Sequence, residues 1–176
     1  MYTLGEHDKD ILIDTPTENR EAAISLARQA RSSINLFTRD LDPRLFDNAG
    51  FEQSIFTLAR SHHSADIRIL TMDSGRARQQ GHSLIRLAQK LTSSVFIHNP
   101  AREYSHVIST FLVVDRKGML HRPRSTSTDY DAVVNYMAPE RAAELQDFFN
   151  EMWERSTPDS QIRRLHISKQ LIFNSE

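Results

Sequence analysis

The sequence has no cysteine among its 176 residues. This absence excludes disulfides, thiolate nucleophiles, cysteine-based zinc sites and iron–sulfur clusters. No stretch approaches the roughly 20 apolar residues that a membrane-spanning helix needs. Residues 1–8 also lack the basic flank and the apolar core of a signal peptide. We therefore expect a cytoplasmic protein with no membrane partner.

A large excess of charge of either sign is also missing, since the net charge is −1. The whole molecule is therefore not an electrostatic nucleic-acid binder, although local basic clusters remain open. The histidines show no recognised metal-ligand spacing, and a zinc site without cysteine would need distant His and Asp residues to converge. We expect neither a metal ion nor another cofactor.

Apolar residues recur with the helical and the strand period in alternating segments. Helices are predicted over residues 15–31, 51–59, 79–91 and 139–155, and strands over residues 34–37, 66–73, 95–98, 107–114, 119–121 and 132–136. Helices separate the first three strands, which predicts parallel pairing through right-handed crossovers. The later strands follow one another closely, which predicts antiparallel hairpins.

This order predicts an α/β fold with a mixed β-sheet and helices on both faces. We expect a single domain over residues 1–176, with its core at about residues 17–155. The tail over residues 156–176 carries apolar side chains, so we expect it to pack on the domain or on a partner.

The most informative segment is the apolar run Phe111-Leu112-Val113-Val114, which ends in a turn led by Asp115. It resembles the signature strand of the phospholipase D-like fold, in which His-x-Lys and four mostly apolar residues precede Asp. Counting back from Asp115, the Lys position is Thr110 and the His position is Ile108. The element order over about residues 20–155 is also similar to one half of such a protein. The resemblance implies a phospholipase D-like half and a homodimer, because a single half commonly pairs with another copy.

The same resemblance argues against the family's reaction. The family uses its His as nucleophile on a phosphodiester, and its Lys and a Gly-Ser-x-Asn segment to hold phosphate oxygens. Ile108 cannot attack phosphorus, Thr110 has no charge to offer, and only Asn135 remains of the third segment. We expect no catalytic residue at these positions, and we expect Asp115 to serve the turn.

Binding residues are expected in two regions instead. Ligands of open α/β sheets bind beyond the carboxyl ends of the parallel strands. The second region is basic and comprises the predicted hairpin turn with the loop after it. The first region contains Arg39, Asp40, Asp73 and His98, with His106 before the signature strand as a further expected binding residue, and the second contains Arg116, Lys117, His121, Arg122 and Arg124. A simpler interpretation is that the charged loop residues are solvated or cap the neighbouring elements. In that interpretation the hairpin cations prevent edge-to-edge aggregation.

Three functional hypotheses follow from these residues. The first is a non-catalytic phospholipase D-like domain that binds an anionic ligand, such as phosphate, or a protein partner. The second is a divergent phosphodiester hydrolase that uses a displaced histidine, His106 or His98, with strand-end acids. The third is a nucleic-acid-associated regulatory domain that uses Arg116, Lys117, Arg122 and Arg124.

Overall fold

Alternating strands and helices build one mixed sheet in the computed structural model, which describes residues 1–162. The elements are β1 (Ile11–Ile13), α1 (Pro16–Arg28), β2 (Ser33–Thr38), α2 (Pro43–Phe46), α3 (Ala49–Ser61), β3 (Asp66–Thr71), α4 (Gly75–Gln79), α5 (Ser83–Lys90), β4 (Val95–Asn99), β5 (Thr110–Val114), β6 (Gly118–Arg122), β7 (Ala132–Asn135), α6 (Pro139–Glu154) and β8 (Thr157–Pro158). A short 3-10 turn at Arg102–Tyr104 precedes β5.

The strand order in the sheet is β1-β7-β6-β5-β2-β3-β4-β8. Strands β2, β3 and β4 are parallel, whereas β5 runs antiparallel to β2 and the pairs β5–β6 and β6–β7 are antiparallel. The predicted mixed α/β sheet is therefore confirmed. The edge where β2, β3 and β4 end is called the carboxyl edge below, and the opposite edge is called the amino edge. Because β5 runs against β2, Thr110 lies at the carboxyl edge and Asp115 at the amino edge.

The two faces of the sheet bury different cores because side chains alternate along each strand. Ile34 and Leu36 of β2 contribute to the larger core, which also contains residues of α1, α3 and α5. Phe37 and Phe111 point to the other face and pack in a second core with Phe149 of α6. The prediction of helices on both faces is confirmed.

Three local features differ from the sequence-based prediction. The helix predicted over residues 79–91 begins only at Ser83 as α5, and a separate short helix, α4, ends before Gly81, which has a φ of 67°. Strand β1 and helix α2 were not predicted. Asp42 in fact caps α2, since its Oδ1 accepts a hydrogen bond of 3.0 Å from the Arg44 N–H, and Pro43 occupies the first helical position.

The described part of the tail packs on the domain. Strand β8 pairs antiparallel with the end of β4. The buried carboxylate of Asp159 accepts hydrogen bonds from Ser74 Oγ at 2.6 Å and from Asn99 Nδ2 at 3.1 Å. Residues 163–176 of the predicted tail lie outside the described residues. Across residues 1–162, no helix combines the length and apolar character needed to cross a membrane.

Asp115 joins two segments that are distant in sequence. Its carboxylate accepts hydrogen bonds from the backbone N–H groups of Arg31, Ser32 and Ser33 at 2.9, 2.8 and 3.0 Å. These groups lie between α1 and β2, so the carboxylate holds the β5–β6 turn against the start of the neighbouring strand. Asp115 also adopts a φ of 55°. The aspartate of the signature segment therefore has a structural role.

Replacing Asp115 tests this role. We expect Asp115→Ala to lower the free energy of unfolding by about 2 kcal/mol, because three backbone donors lose a charged acceptor. Chemical denaturation measures the change. The matched control is Asp147→Ala, at an exposed position of α6, which we expect to change stability by less than about 0.5 kcal/mol. Equal losses in the two variants would contradict the structural role.

A strained residue shapes the loop after β2. Leu41 is fully buried and has a φ of 58°, a conformation that costs a non-glycine residue about 1–2 kcal/mol. Nδ1 of buried His82 accepts a hydrogen bond from the Leu84 N–H at 3.1 Å. The proton of the neutral ring is therefore on Nε2, which donates to the Leu41 carbonyl oxygen at 3.0 Å. This hydrogen bond from His82 thus stabilises the strained conformation of the loop at Leu41.

The neutral state of His82 predicts a pH dependence. Burial lowers the pKa of His82 below the ordinary value of 6.5. The folded protein therefore binds this proton less well than the unfolded chain does, so the stabilisation is present above pH 6.5 and is lost as the pH falls below it. We expect His82→Gln to reduce the slope of unfolding free energy between pH 5 and 7, by at most about 1.4 kcal/mol per pH unit.

Denaturation at several pH values measures this slope. Burial also lowers the pKa values of His98 and His121, so the slope of the wild-type protein has several sources. His106→Gln removes an exposed imidazole and serves as the control. An unchanged slope in His82→Gln would show that His82 does not carry a proton-linked part of the stability.

Candidate functional site

The loops that follow β2 and β3 lie side by side at the carboxyl edge. The Thr38 end of β2 leads into Asp40 and Asp42, and the loop after β3 is bound to this loop because the Asp73 N–H donates to the Arg39 carbonyl oxygen at 2.9 Å. The hydroxyl of Thr71 reaches the same carbonyl oxygen at 3.2 Å. The two loops therefore form one surface at the position where ligands of open sheets bind.

A polar cleft of about 90 Å³ opens on this surface. It is lined by Asp40, Asp42, Pro43, Arg44, Arg76, Arg122, Ser125, Thr126, Ser127 and Tyr130. Three arginines and two aspartates give this lining a formal charge of +1. One water molecule accounts for about 30 Å³ of liquid, so the cleft has room for a group of a few heavy atoms.

Arg122 organises one wall of the cleft from a buried position, with 2% of its surface exposed. Its Nε donates to the Asp129 carbonyl oxygen at 3.0 Å and its Nη2 to the Thr126 carbonyl oxygen at 2.6 Å. Its Nη1 lies 3.7 Å from Asp42 Oδ2, and the guanidinium carbon lies 4.1 Å from the centre of the Tyr130 ring. The loop over residues 123–131 therefore wraps around a fixed cation.

Tyr130 and Asp42 close this network. The Tyr130 hydroxyl donates to Asp42 Oδ2 at 2.7 Å, and burial together with this hydrogen bond raises the pKa of Tyr130. The buried charge of Arg122 is therefore compensated by an ion pair, two carbonyl oxygens and an aromatic face.

Thr110 and Arg122 face each other across β5 and β6. Thr110 is 1% exposed, and its Oγ1 lies 2.5 Å from Ser125 Oγ, so a side chain of the cleft wall occupies its hydroxyl. The Lys position of the phospholipase D-like signature thus holds an uncharged residue, while a cation enters from the next strand. Ile108 is 47% exposed, and its carbonyl oxygen accepts a bond of 2.7 Å from the Ser125 N–H. Both signature positions therefore contact Ser125 of the cleft wall, although neither lines the cleft itself.

Asp40 is the acid with the most perturbed environment in the cleft. Burial and the neighbouring charge of Asp42 raise the pKa of Asp40, while the charges of Arg76 and Arg122 oppose this shift. The raised pKa means that the folded protein disfavours the charged form of the Asp40 carboxyl group. A cation-rich wall and a destabilised carboxylate therefore share one small volume.

The remaining residues that were predicted at the carboxyl edge do not line the cleft. Arg39 and Asp73 are exposed on the adjoining loops, and Asp73 Oδ1 accepts from the Gly75 N–H at 2.8 Å. The ring of His98 stacks on Trp153 with centres 3.9 Å apart. His106 is exposed in the segment before β5. Of the predicted binding residues, the structure brings together Asp40 and Arg122.

Two predictions about which residues lie close together in space are wrong. The basic residues of the hairpin and its loop do not form one surface, because β6 separates Arg116 and Lys117 at the amino edge from Arg122 and Arg124 at the carboxyl edge. A strand of five residues spans about 15 Å. Asn135 pairs with Met119 near the amino edge, so it is remote from Thr110 and cannot serve as the Asn of the signature.

Asn135 has another use at the amino edge. Its Nδ2 donates to Asp8 Oδ1 at 3.0 Å and to Asp10 Oδ1 at 2.9 Å, and Asp10 forms an ion pair with Arg141. This arrangement fixes the segment before β1 to the sheet. It is structural, and within residues 1–162 no group of three or more His, Asp or Glu side chains could hold a metal ion.

Sequence reasoning missed most of the cleft lining. Asp42 and Tyr130 are 88 positions apart and meet only after folding. Arg44 follows the Asp42-Pro43 pair, whose capping pattern was a usable signal for an ordered segment. The hydroxyls over residues 125–127 were not predicted to belong to a site, because nothing in that run shows that Arg122 would fold it.

Comparisons with solved structures place the fold. Nuc from Salmonella typhimurium, a phospholipase D family member, is 14% identical with a TM-score of 0.62, covering 86% of this chain and 97% of that chain. NucT from Helicobacter pylori is 17% identical with a TM-score of 0.60, covering 86% and 99%. TrmBL2, an archaeal chromatin protein with a novel mode of DNA binding, is 13% identical with a TM-score of 0.64, covering 88% and 55%.

These likenesses show a phospholipase D-like fold, as the segment around Asp115 predicted. No curated protein matches the chain. A family model described as a domain of unknown function (DUF7931) matches residues 15–165, which is most of the sequence. This phospholipase D-like chain belongs to the DUF7931 family.

Proposed function

We propose that this chain is a non-catalytic phospholipase D-like domain that binds the phosphate group of an anionic ligand in the carboxyl-edge cleft. One observation carries the proposal. The cleft lies beside Ile108 and Thr110, where the reaction would need a nucleophile and a cation, yet arginines still line it. The site thus keeps positive charge without the groups that attack phosphorus.

Neither histidine of the displaced-nucleophile hypothesis lines the cleft. Ser156 Oγ donates its single proton to the Trp153 carbonyl oxygen at 2.6 Å, so His98 Nδ1 must be the donor in its 2.8 Å contact with Ser156 Oγ. This bond and the stacking on Trp153 fix the His98 ring away from the cleft lining. His106 is exposed and is not part of the cleft lining.

Two arginines at the cleft are available to a ligand. Arg44 and Arg76 are exposed, and neither has an acidic partner within 4 Å among the residues that the structure describes. The planar guanidinium group of arginine donates two parallel hydrogen bonds to two oxygens of one phosphate group. The hydroxyls over residues 125–127 supply further donors, and the volume of about 90 Å³ fits a single phosphate group.

The strain at Leu41 also supports a binding role. Asp40 and Asp42 flank this residue, and its positive φ directs the loop across the carboxyl edge. Strained backbone concentrates at functional sites, because only a surrounding structure that enforces the conformation can maintain it.

Binding of inorganic phosphate tests the proposal. We expect titration followed by amide NMR shifts to show millimolar binding near residues 40–44 and 122–127. We expect the double variant Arg44→Gln and Arg76→Gln to bind at least about tenfold more weakly, because each charged hydrogen bond is worth about 1.5–3 kcal/mol. The control replaces Arg60 and Arg86, which are exposed on α3 and α5. Equal affinity in wild-type protein and double variant would refute the proposed site.

A separate experiment tests whether the protein lacks phosphodiesterase activity. We expect no release of nitrophenol from bis(p-nitrophenyl) phosphate above the buffer rate, because neither signature position carries a nucleophile or a cation. Turnover that disappears in His106→Ala would overturn the non-catalytic proposal and favour the displaced-histidine hydrolase.

We also propose that the chain forms a homodimer, as the resemblance implies, and that it is located in the cytoplasm. A nucleic-acid role through Arg116, Lys117, Arg122 and Arg124 loses its common surface, since these residues lie at opposite edges. TrmBL2, a structural neighbour, is a DNA-binding chromatin protein, so nucleic acid stays a candidate partner by analogy of fold.

A further inference from the structure

A second basic surface lies at the amino edge, remote from the carboxyl-edge cleft. It consists of Arg28, Arg31, Arg116 and Lys117, which are all exposed and are called the amino-edge cluster below. Arg28 lies in the last turn of α1, and Arg31 lies between α1 and β2. The hydrogen bonds of the Asp115 carboxylate to this connection bring the two arginines beside Arg116 and Lys117 of the β5–β6 turn.

The charges of the amino-edge cluster are not neutralised by ion pairs. None of its four cations has an acidic partner within 4 Å in the described part of the chain. A depression of about 420 Å³ lies between Arg28, Arg31 and Lys117, and its lining includes the acids Glu6 and Asp115. The oxygens of Asp115 already accept backbone N–H groups. The carboxyl end of α1 adds about half a negative charge, which is less than the surplus of cations.

The backbone of the turn adds a second observation. Asp115 and Arg116 have φ values of 55° and 58°, and the Lys117 N–H donates to the Val114 carbonyl oxygen at 3.0 Å. Hairpin turns with two such residues favour Asn-Gly or Asp-Gly. The hydrogen bonds of Asp115 account for its conformation, whereas the Arg116 side chain is exposed and forms no ion pair within residues 1–162. This turn position therefore carries a cation, although glycine would be the less strained residue there.

We propose that the amino-edge cluster binds the sugar–phosphate backbone of duplex nucleic acid without reading its sequence. Three of its four side chains are arginines, whose planar forks match phosphate oxygens. Base stacking is not available nearby, since the Tyr2 ring stacks on Tyr136 with centres 5.5 Å apart. Backbone contact without stacking or base readout gives sequence-independent binding. Because the net charge of the chain is −1, affinity depends on this local cluster.

Fluorescence anisotropy with a labelled duplex of about 20 base pairs tests the proposal. We expect a Kd of about 10⁻⁴–10⁻⁶ M, which is the usual range for contacts with phosphates alone. The logarithm of the association constant should fall with the logarithm of salt concentration with a slope of about −3 to −4, since each neutralised phosphate contributes about −0.9. A second duplex of unrelated sequence should bind equally well.

Two matched variants locate the surface. Replacing Arg28, Arg31, Arg116 and Lys117 by Gln should weaken binding by at least about tenfold and bring the salt slope close to zero. The control replaces Arg60, Arg86, Lys90 and Arg102 by Gln, which removes the same charges from other exposed positions. Duplex binding that survives the first variant, or is lost equally in both, would overturn the proposal. So would binding to phosphatidylserine vesicles without binding to the duplex.

The variant Arg116→Gly distinguishes a contact of the Arg116 side chain with the duplex from an effect of this residue on the stability of the turn. Glycine relieves the positive φ, so we expect the Tm to rise by about 2 °C. The same change removes one phosphate contact, so we expect several-fold weaker duplex binding and a salt slope nearer zero by about 1. A variant with higher Tm and unchanged duplex binding would show that Arg116 makes no contact, and would contradict the proposed surface.

Discussion

The carboxyl-edge site depends on the contact between the buried guanidinium of Arg122 and Asp42. The guanidinium joins the end of β6 to the loop over residues 123–131, and Asp42 joins the end of β2 to the start of α2. Tyr130 connects the two by donating to Asp42 while its ring lies under the cation. Removing one partner from such a pair typically costs 3–5 kcal/mol, because a charge then stays buried without compensation.

This contact explains how a phospholipase D-like scaffold can keep positive charge without the family's reactive residues. Thr110 occupies the Lys position of the signature, and Arg122 supplies a cation from the facing position of the next strand. Two N–H groups of Arg122 donate to backbone carbonyl oxygens and its Nη1 pairs with Asp42, so in our proposal it orders the wall and leaves direct binding to Arg44 and Arg76. A fixed wall with exposed arginines suits recognition better than chemistry, since Ile108 offers no nucleophile.

The order of most elements along the chain and the parallel and antiparallel pairing could be predicted because the apolar periods are local properties of the sequence. The capping of α1 is an example, since the Thr15 side chain accepts from the Glu18 N–H, as the spacing indicates. The site could not be predicted to the same depth. Arg116 and Arg122 are close in sequence, yet an extended strand carries them to opposite edges, whereas Asp42 and Tyr130 are distant in sequence and touch. The prediction treated sequence proximity as spatial proximity, and that assumption failed for Asn135 as well.

The central claim is that the carboxyl-edge cleft holds a phosphate group between Arg44 and Arg76. A crystal structure of the protein with tungstate, a heavy-atom mimic of phosphate, tests it most directly through the anomalous difference map. The account predicts a peak within hydrogen-bonding distance of both guanidinium groups and of a hydroxyl from residues 125–127. A cleft with no peak at a tungstate concentration that fills other sites on the protein would contradict it.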